Sequence, residues 1–406
     1  MQELALKNIR VADFSWALAG PYAMKMLADQ GAEVIKIESA RTMHQFAYAA
    51  DREEVDIREV DRGPMHDLLN RNKLSMMLDL KTEKGLEIVK RLVKESDIVA
   101  ENFSGTAMKN LGLDYPVLRE INPSIIMISL AGMGHFGPYA SYRSHGNTLE
   151  AMCGIDEITG YADSGPMDPG MTYLDYGGGV HGAIAVLAAL RHRLRTGEGQ
   201  YIDLGQLDLG CSLAGLSILD YTANGRIQRR AGNKHPWASP HGTYRCKGED
   251  RWCTLVVFND EEWRNACQVM GNPFWASDAR FATTLGRASN SVELDKLVGT
   301  WTIERSPEEV MQLMQQNGVE SGVVETMEDL ITKDKHLKER GLYQEVPQRT
   351  RSVTIMEGIP YKMSKTPGEI AKAGPFPGEH TGYVCREVLG MSDEEFEECE
   401  RQGVFS

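Results

Sequence analysis

Residues 8–38 read NIRVADFSWALAGPYAMKMLADQGAEVIKIE. Ile9, Val11 and Phe14 fall in a first strand. Gly20-Pro21 then opens a helix with proline at its favoured first position. Gly31 closes that helix, and Val34 to Glu38 form a second strand. A strand, a helix and a strand at this spacing make a βαβ unit, which predicts a parallel sheet with a right-handed crossover. Glu38 at the end of the second strand invites a dinucleotide-site reading. The turn SWALAGPY carries a single glycine, however, and the GxGxxG that lets a pyrophosphate approach is absent. Nicotinamide and flavin binding are set aside on that ground.

The same alternation continues outward. Strands are expected at Ser75 to Leu80, Ile98 to Ala100 and Ile125 to Leu130, with a helix from Thr82 whose Leu86, Val89, Leu92 and Val93 share a face. This predicts a doubly wound α/β layer. Residues 40–66 are polar and aperiodic and read as a long loop or lid. After Asn224 the stretch GRIQRRAGNKHPWASPHGTYRCKGEDRW changes texture and marks a crossing into a second domain. The expected division is 1–223 and 335–406 for a discontinuous large domain and 224–334 for a small one. Within the latter, Trp252 to Phe258 reads as a strand, followed by helices around Glu261–Met270, Ser291–Thr302 and Pro307–Gln316. Ser392 with Glu395 three residues on is a capping box for a terminal helix packed on the large domain.

Residues 170–199, GMTYLDYGGGVHGAIAVLAALRHRLRTGEG, hold the candidate chemistry. Asp175 precedes three glycines and an apolar helix in which Val180, Ala183, Ile184, Leu187, Leu190 and Leu194 recur with the period of a buried face. Arg191, His192, Arg193 and Arg195 suit the negative end of its dipole, and Gly197 stops it. A carboxylate at the positive end of a helix is held ionised. Gly177, Gly178 and Gly179 beside it are read as a turn whose N–H groups could receive an oxyanion. The alternative is an aspartate that merely caps the helix.

Composition narrows the classes. The 406-residue chain, 42% hydrophobic and 25% charged, is that of a globular protein with more than one domain. No apolar run reaches the length of a membrane span, and MQELALKNIRVADF lacks the form of a secretory signal. A cytoplasmic location is expected, with no membrane partner. Seven cysteines without a CxxC pair read as reduced thiols, and ten histidines without ligand spacing give no metal site. A formal charge of -14 argues against nucleic acid.

Taken together, VADFSWALAGPYAMKMLADQGAEVIKIE, NRNKLSMMLDLKTEKG, DIVAENFSGTAMKNLGLDY, SLAGMGHFGPYASY, LAALRHRLRTGEGQYIDLGQLD, PWASPHGTYRCKGEDRW and PGEHTGYVCREVLGMSDEEF occur in an order that resembles the family III CoA-transferases, including formyl-CoA:oxalate and carnitine CoA-transferases. The resemblance implies a Rossmann-like large domain with a smaller α+β domain, in an interlocked-ring dimer. It assigns the nucleophile to Asp175. Coenzyme A contacts fall on Ala17, Leu18, Leu78, Lys81, Asn102 and Phe103, with a further basic contact close to Lys109 and Asn110. Arg143 and His145 take the places of a lysine and an aromatic near the thioester, and an Arg fork there suits a second carboxylate. Two departures stand out: Gly146 replaces an acidic neighbour of the nucleophile, and the glycine-rich flap of the oxalate enzymes is replaced around Trp237 to Gly242, which argues against oxalate as acceptor.

The implied reaction moves coenzyme A from an acyl-CoA, with succinyl-CoA as the expected donor, to a free acid of benzylsuccinate type. It passes through an Asp175 anhydride and an aspartyl-CoA thioester, without metal or resident cofactor. Two alternatives stay open. The family's racemases share the scaffold and use a His/Asp pair, for which His135 is the expected histidine. The chain could also be a non-catalytic subunit completing a partner's site, so homodimer and heteromer both stand.

Overall fold

Alternate residues of each strand point to opposite faces of a sheet, and here both faces are covered. The computed structural model describes residues 3–39, 63–349 and 352–406; the expected lid at 40–66 falls outside these except for its last residues. The described elements begin with β1 (Arg10–Asp13), α1 (Ala19–Asp29) and β2 (Glu33–Glu38). Then come α2 (Gly63–Asn70), β3 (Leu74–Met77), α3 (Glu83–Lys94) and β4 (Ile98–Glu101). They continue with the short α4 (Ala107–Asn110), β5 (Ile126–Ala131), α5 (Gly146–Met152), the long α6 (Tyr173–Thr196) and β6 (Tyr201–Gly205).

The six strands form one parallel sheet in the order β3-β2-β1-β4-β5-β6. Val11, Val34, Ile98 and Ile126 pack under α1 and α6. Their neighbours Ala12, Ile35, Val99 and Met127 pack under α3. The second core is closed by chain returning from the far end, where Val384, Cys385, Cys399, Val404 and Phe405 join it. Thr82 caps α3 by accepting the Gly85 N–H at 3.0 Å. Ser392 likewise accepts the Glu395 N–H at 3.2 Å to start the terminal helix Asp393–Arg401. The box is made in one direction, because the Glu395 carboxylate instead takes Lys84 at 3.2 Å and Arg91 at 2.9 Å on α3. Two cations from another helix outbid one local N–H.

The chain divides into two units. The first comprises Met1–Ile155, Asp168–Arg226 and Glu339–Ser406; the second comprises Asp156–Met167 and Ile227–Lys338. The second has a three-stranded antiparallel sheet, β7 (His241–Arg245), β8 (Trp252–Val256) and β9 (Glu320–Val323). Its core sets Tyr244, Cys253 and Leu255 against Trp263, Phe281, Leu294, Val310 and Met314 from its helices. Strands and helices are thus segregated, as in an α+β layer.

The buried face of α6 differs from the periodic reading. Ala183 and Leu190 are buried, but Val180, Ile184, Leu187 and Leu194 are exposed, Leu194 to 78%. The helix instead turns its small residues inward, with Gly178, Gly179, Gly182, Ala183, Val186 and Ala189 all buried. A Cβ on Gly179 would lie 3.0 Å from Ala19 O and 2.8 Å from the Tyr22 ring, so α1 and α6 approach too closely for a side chain there.

Candidate active site

The switch point of the sheet lies between β1 and β4, where ligands of doubly wound sheets collect beyond the carboxyl ends of the strands. A cavity of about 430 Å³ opens there. It is lined by residues following β1 (Phe14 to Leu18), at the end of β2 (Glu38, Ser39), and following β3 (Leu78 to Lys81) and β4 (Phe103). Of the residues expected to touch coenzyme A, Ala17, Leu18, Leu78, Lys81 and Phe103 line this cavity. Asn102 braces it from behind, accepting the Trp16 N–H at 2.9 Å and donating to Trp16 O at 2.8 Å. Ala17 adopts φ 57°, a left-handed conformation rare for a residue with a Cβ. Lys109 and Asn110 stand exposed on α4 outside the lining.

The turn that forms the floor rests on buried charge. Lys73 donates to Asp13 Oδ2 at 3.0 Å, to Pro21 O and to Asn70 Oδ1. Lys36, itself on the cavity wall, donates to Ser15 O at 2.7 Å. Burial alone would lift the Asp13 carboxyl, but Lys73, Lys36 and the Ser15 hydroxyl outweigh it and hold it below the ordinary value.

Asp175 lies within α6, three residues after the N-cap Thr172, and so is not itself the cap. Its Oδ1 accepts a hydrogen bond from Gln206 Nε2 at 2.9 Å; the same amide nitrogen donates to Leu174 O at 3.1 Å. Gln206 is buried at the first position of α7 (Gln206–Leu213), directly after β6. Burial lifts the Asp175 carboxyl above its ordinary value, opposed by Gln206, by the charge of His145 and by Thr172. On the other side, a Cβ on Gly146 would sit 2.9 Å from Asp175 Oδ2 and 2.6 Å from Thr172 Cγ2. The backbone at the start of α5 therefore abuts the carboxylate, and the acidic neighbour expected of relatives has no room here.

Two expectations need correction. Gly177, Gly178 and Gly179 form no turn: they lie inside α6, where each N–H is engaged by the carbonyl four residues back. They are packing residues, and Gly178 leaves the space that Gln206 fills. The histidine whose charge bears on Asp175 is His145, the exposed N-cap of α5, rather than His135. Arg143 is exposed on the loop just before it. His135 sits elsewhere, with Nε2 3.6 Å from Glu101 Oε1 and Nδ1 3.2 Å from the Tyr201 hydroxyl. Gln206 was not singled out in sequence; its one signal is its place at the end of a strand.

The cavity and Asp175 flank one helix. Pro21, in the first turn of α1, lines the cavity, while the next residue, Tyr22, packs edge-on against Tyr176 with centroids 5.0 Å apart. An elongated ligand anchored at the switch point would thus pass α1 to reach the carboxylate.

Comparison with known proteins agrees with this geometry. Residues 6–381 match the family described as CoA-transferase family III. The succinate–glutarate CoA-transferase of Agrobacterium fabrum is 34% identical over 94% of this chain and 95% of its own length. The alpha subunit of a succinyl-CoA–L-malate CoA-transferase of Chloroflexus aurantiacus is 31% identical over 97% and 91%. Among solved structures, a CAIB/BAIF family protein from Brucella suis is 30% identical and has a TM-score of 0.86, covering 95% of this chain and 100% of the other. With a six-stranded parallel sheet, a switch-point cavity and relatives matched over more than nine-tenths of its length, this chain belongs to CoA-transferase family III.

Proposed function

We propose that this protein moves coenzyme A from succinyl-CoA to a second carboxylic acid, with Asp175 as the covalent carrier. The observation that supports it best is a half-buried carboxylate oriented by Gln206 beside the helix that borders the cavity. A carboxylate oxygen of Asp175 adds to the thioester carbonyl, the C–S bond breaks, and a mixed anhydride forms with release of the thiolate. The thiolate attacks the aspartyl carbonyl, freeing the donor acid and leaving an aspartyl-CoA thioester. The acceptor carboxylate then retraces both steps. The energy of the thioester is kept throughout, so no nucleotide is consumed. Ala17, Leu18, Leu78, Lys81 and Phe103 hold the coenzyme, with Asn102 bracing the turn. Lys109, exposed two residues before Leu111 of the cavity lining, is the cation that would meet its charged end.

For the acceptor, the two CoA-transferase relatives named above carry small dicarboxylic acids in their names, and the Arg143 guanidinium with the His145 ring two residues on could receive a distal carboxylate. Benzylsuccinate belongs to this class of acid. We place the enzyme in the cytosol, where acyl-CoA and reduced thiols coexist. It works as an oligomer, since α6 and α8 (Gly215–Asn224) leave Ile184, Leu187, Leu216 and Leu219 exposed. The partner is a second copy or a related subunit.

The test is to incubate the purified chain with succinyl-CoA and a panel of acids (glutarate, malate, citramalate, benzylsuccinate), and to identify new thioesters by mass spectrometry. Hydroxylamine should trap Asp175 as a hydroxamate. Undiminished transfer by Asp175→Ala would overturn the assignment.

His145 favours one other reading, proton transfer alpha to a thioester by the His145–Asp175 pair. Solvent deuterium entering an acyl-CoA without any transfer would support it instead.

A further inference from the structure

Beyond the cavity lies a polar cluster, buried at Glu101 and Ser129 and half-buried at His135, Tyr201 and Asp203, that the transfer chemistry does not use. It gathers side chains from three adjacent strands: Glu101 on β4, Ser129 on β5, and Tyr201 and Asp203 on β6, with His135 from the loop after β5. Both Asp203 oxygens accept the His135 backbone N–H at 3.0 Å. The Tyr201 hydroxyl lies 3.0 Å from Ser129 Oγ and 3.2 Å from His135 Nδ1. Burial pushes the Tyr201 phenol up to about 12, so it remains a donor at any working pH.

All of this converges on one residue. Glu101 Oε2 accepts the Phe103 N–H at 2.8 Å, and His135 Nε2 reaches Phe103 O at 3.3 Å. A carbonyl oxygen can only accept, so Nε2 carries the proton in that bond. Phe103 is thereby held at both its N–H and its C=O. Its ring meets Trp16 edge-on at 6.0 Å, and both line the cavity. A loop residue held at its N–H by a fully buried carboxylate and at its C=O by a half-buried imidazole presents a well-defined ligand-facing wall.

We infer that His135 is a positioning residue for coenzyme A binding: it acts through Phe103, holding that side chain in the cavity wall, and does not touch the reacting atoms. The inference rests on the reading that Phe103 contacts coenzyme A.

Free coenzyme A is the probe, titrated calorimetrically into the full chain. His135→Leu, which keeps the bulk and removes both ring nitrogens, should raise Kd by about tenfold, the equivalent of one hydrogen bond. His135→Gln, whose amide can still donate to Phe103 O, should stay within about threefold of wild type. Rescue by glutamine separates positioning from general packing, which either substitution would disturb alike. Tyr201→Phe, a milder change that keeps the fold if His135→Leu does not, should raise Kd about threefold by freeing Nδ1. Phe103→Ala separates the two readings. If it weakens binding while His135→Leu and Tyr201→Phe leave Kd unchanged, the cavity assignment stands and the positioning role falls. If Phe103→Ala itself has no effect, the cavity assignment falls and takes the inference with it.

Discussion

Gln206 Nε2 stands 2.9 Å from Asp175 Oδ1, joining two residues 31 positions apart in the chain. The bond fixes one carboxylate oxygen and leaves the other, Oδ2, facing the start of α5, where the Gly146 backbone abuts it with no space for a side chain. Gln206 donates without adding a charge, so it orients the carboxylate and favours its ionised form. Gln206→Leu should therefore lower kcat by about 10–100-fold, the worth of a hydrogen bond to a charged group. The Kd for free coenzyme A should hold within about twofold. Steady-state rates and calorimetry on the same preparation check this; an equal loss in both would show that Gln206 supports the fold and not the carboxylate.

Gly146 gives a second prediction. Any side chain there meets Thr172 and Asp175 at contact distances that real Cβ atoms do not adopt. Gly146→Ala should displace the carboxylate and cut kcat by about tenfold or more, in keeping with an overpacking cost of about 1–3 kcal/mol. Because one of the obstructing atoms is Thr172 Cγ2, adding Thr172→Ser should recover part of the loss. Rates of the two single variants and the double variant test the coupling. Additive losses would mean that the two positions do not share the space.

The sheet was legible because its signal is local. Residues 8–38 carry strand, helix and strand in one window, and the observed β1, α1 and β2 fall there. Thr82 as cap of α3 was legible for the same reason. The inner face of α6 was not. Of its periodic large residues only Leu190 points inward, while the residues it buries are mostly glycine and alanine, which carry little hydrophobic signal. Glycine also has low helix propensity, so GlyGlyGly reads as a turn. Packing against α1, where no Cβ fits at Gly179, overrides that preference. Gln206 was out of reach because nothing near it in sequence announces a partner in the first turn of another helix.

The outward stripe of α6 leads to the third prediction. Val180, Ile184, Leu187 and Leu194 are exposed at 38–78%, and the proposed oligomer would bury this apolar stripe. Charge placed in its middle should oppose association. Ile184→Glu combined with Leu187→Lys should lower the molar mass measured by light scattering to that of one chain, with the circular dichroism spectrum retained. A wild-type protein that is already monomeric at micromolar concentration would remove the basis for this prediction.

The last prediction concerns Asp175 and pH. Burial lifts its carboxyl above the ordinary value, with Gln206, His145 and Thr172 only partly offsetting the effect. The proposed transfer needs the ionised form, so on that mechanism the acid limb of kcat should lie above the usual aspartate range and move upward again in Gln206→Leu. Stability follows the opposite course. A group whose folded pKa exceeds its unfolded value stabilises the protein while protonated, and that contribution is lost as pH rises through the folded pKa. At neutral pH the wild type has lost it and carries a desolvated charge. Asp175→Asn, neutral at every pH and still able to accept from Gln206, should therefore melt higher than wild type at pH 7. The difference should vanish toward pH 3, where the wild-type carboxyl is protonated. Thermal denaturation of the pair across that range measures it. A variant that melts lower than wild type at pH 7 would mean that the carboxylate's bonds exceed the cost of its burial, contrary to the raised pKa.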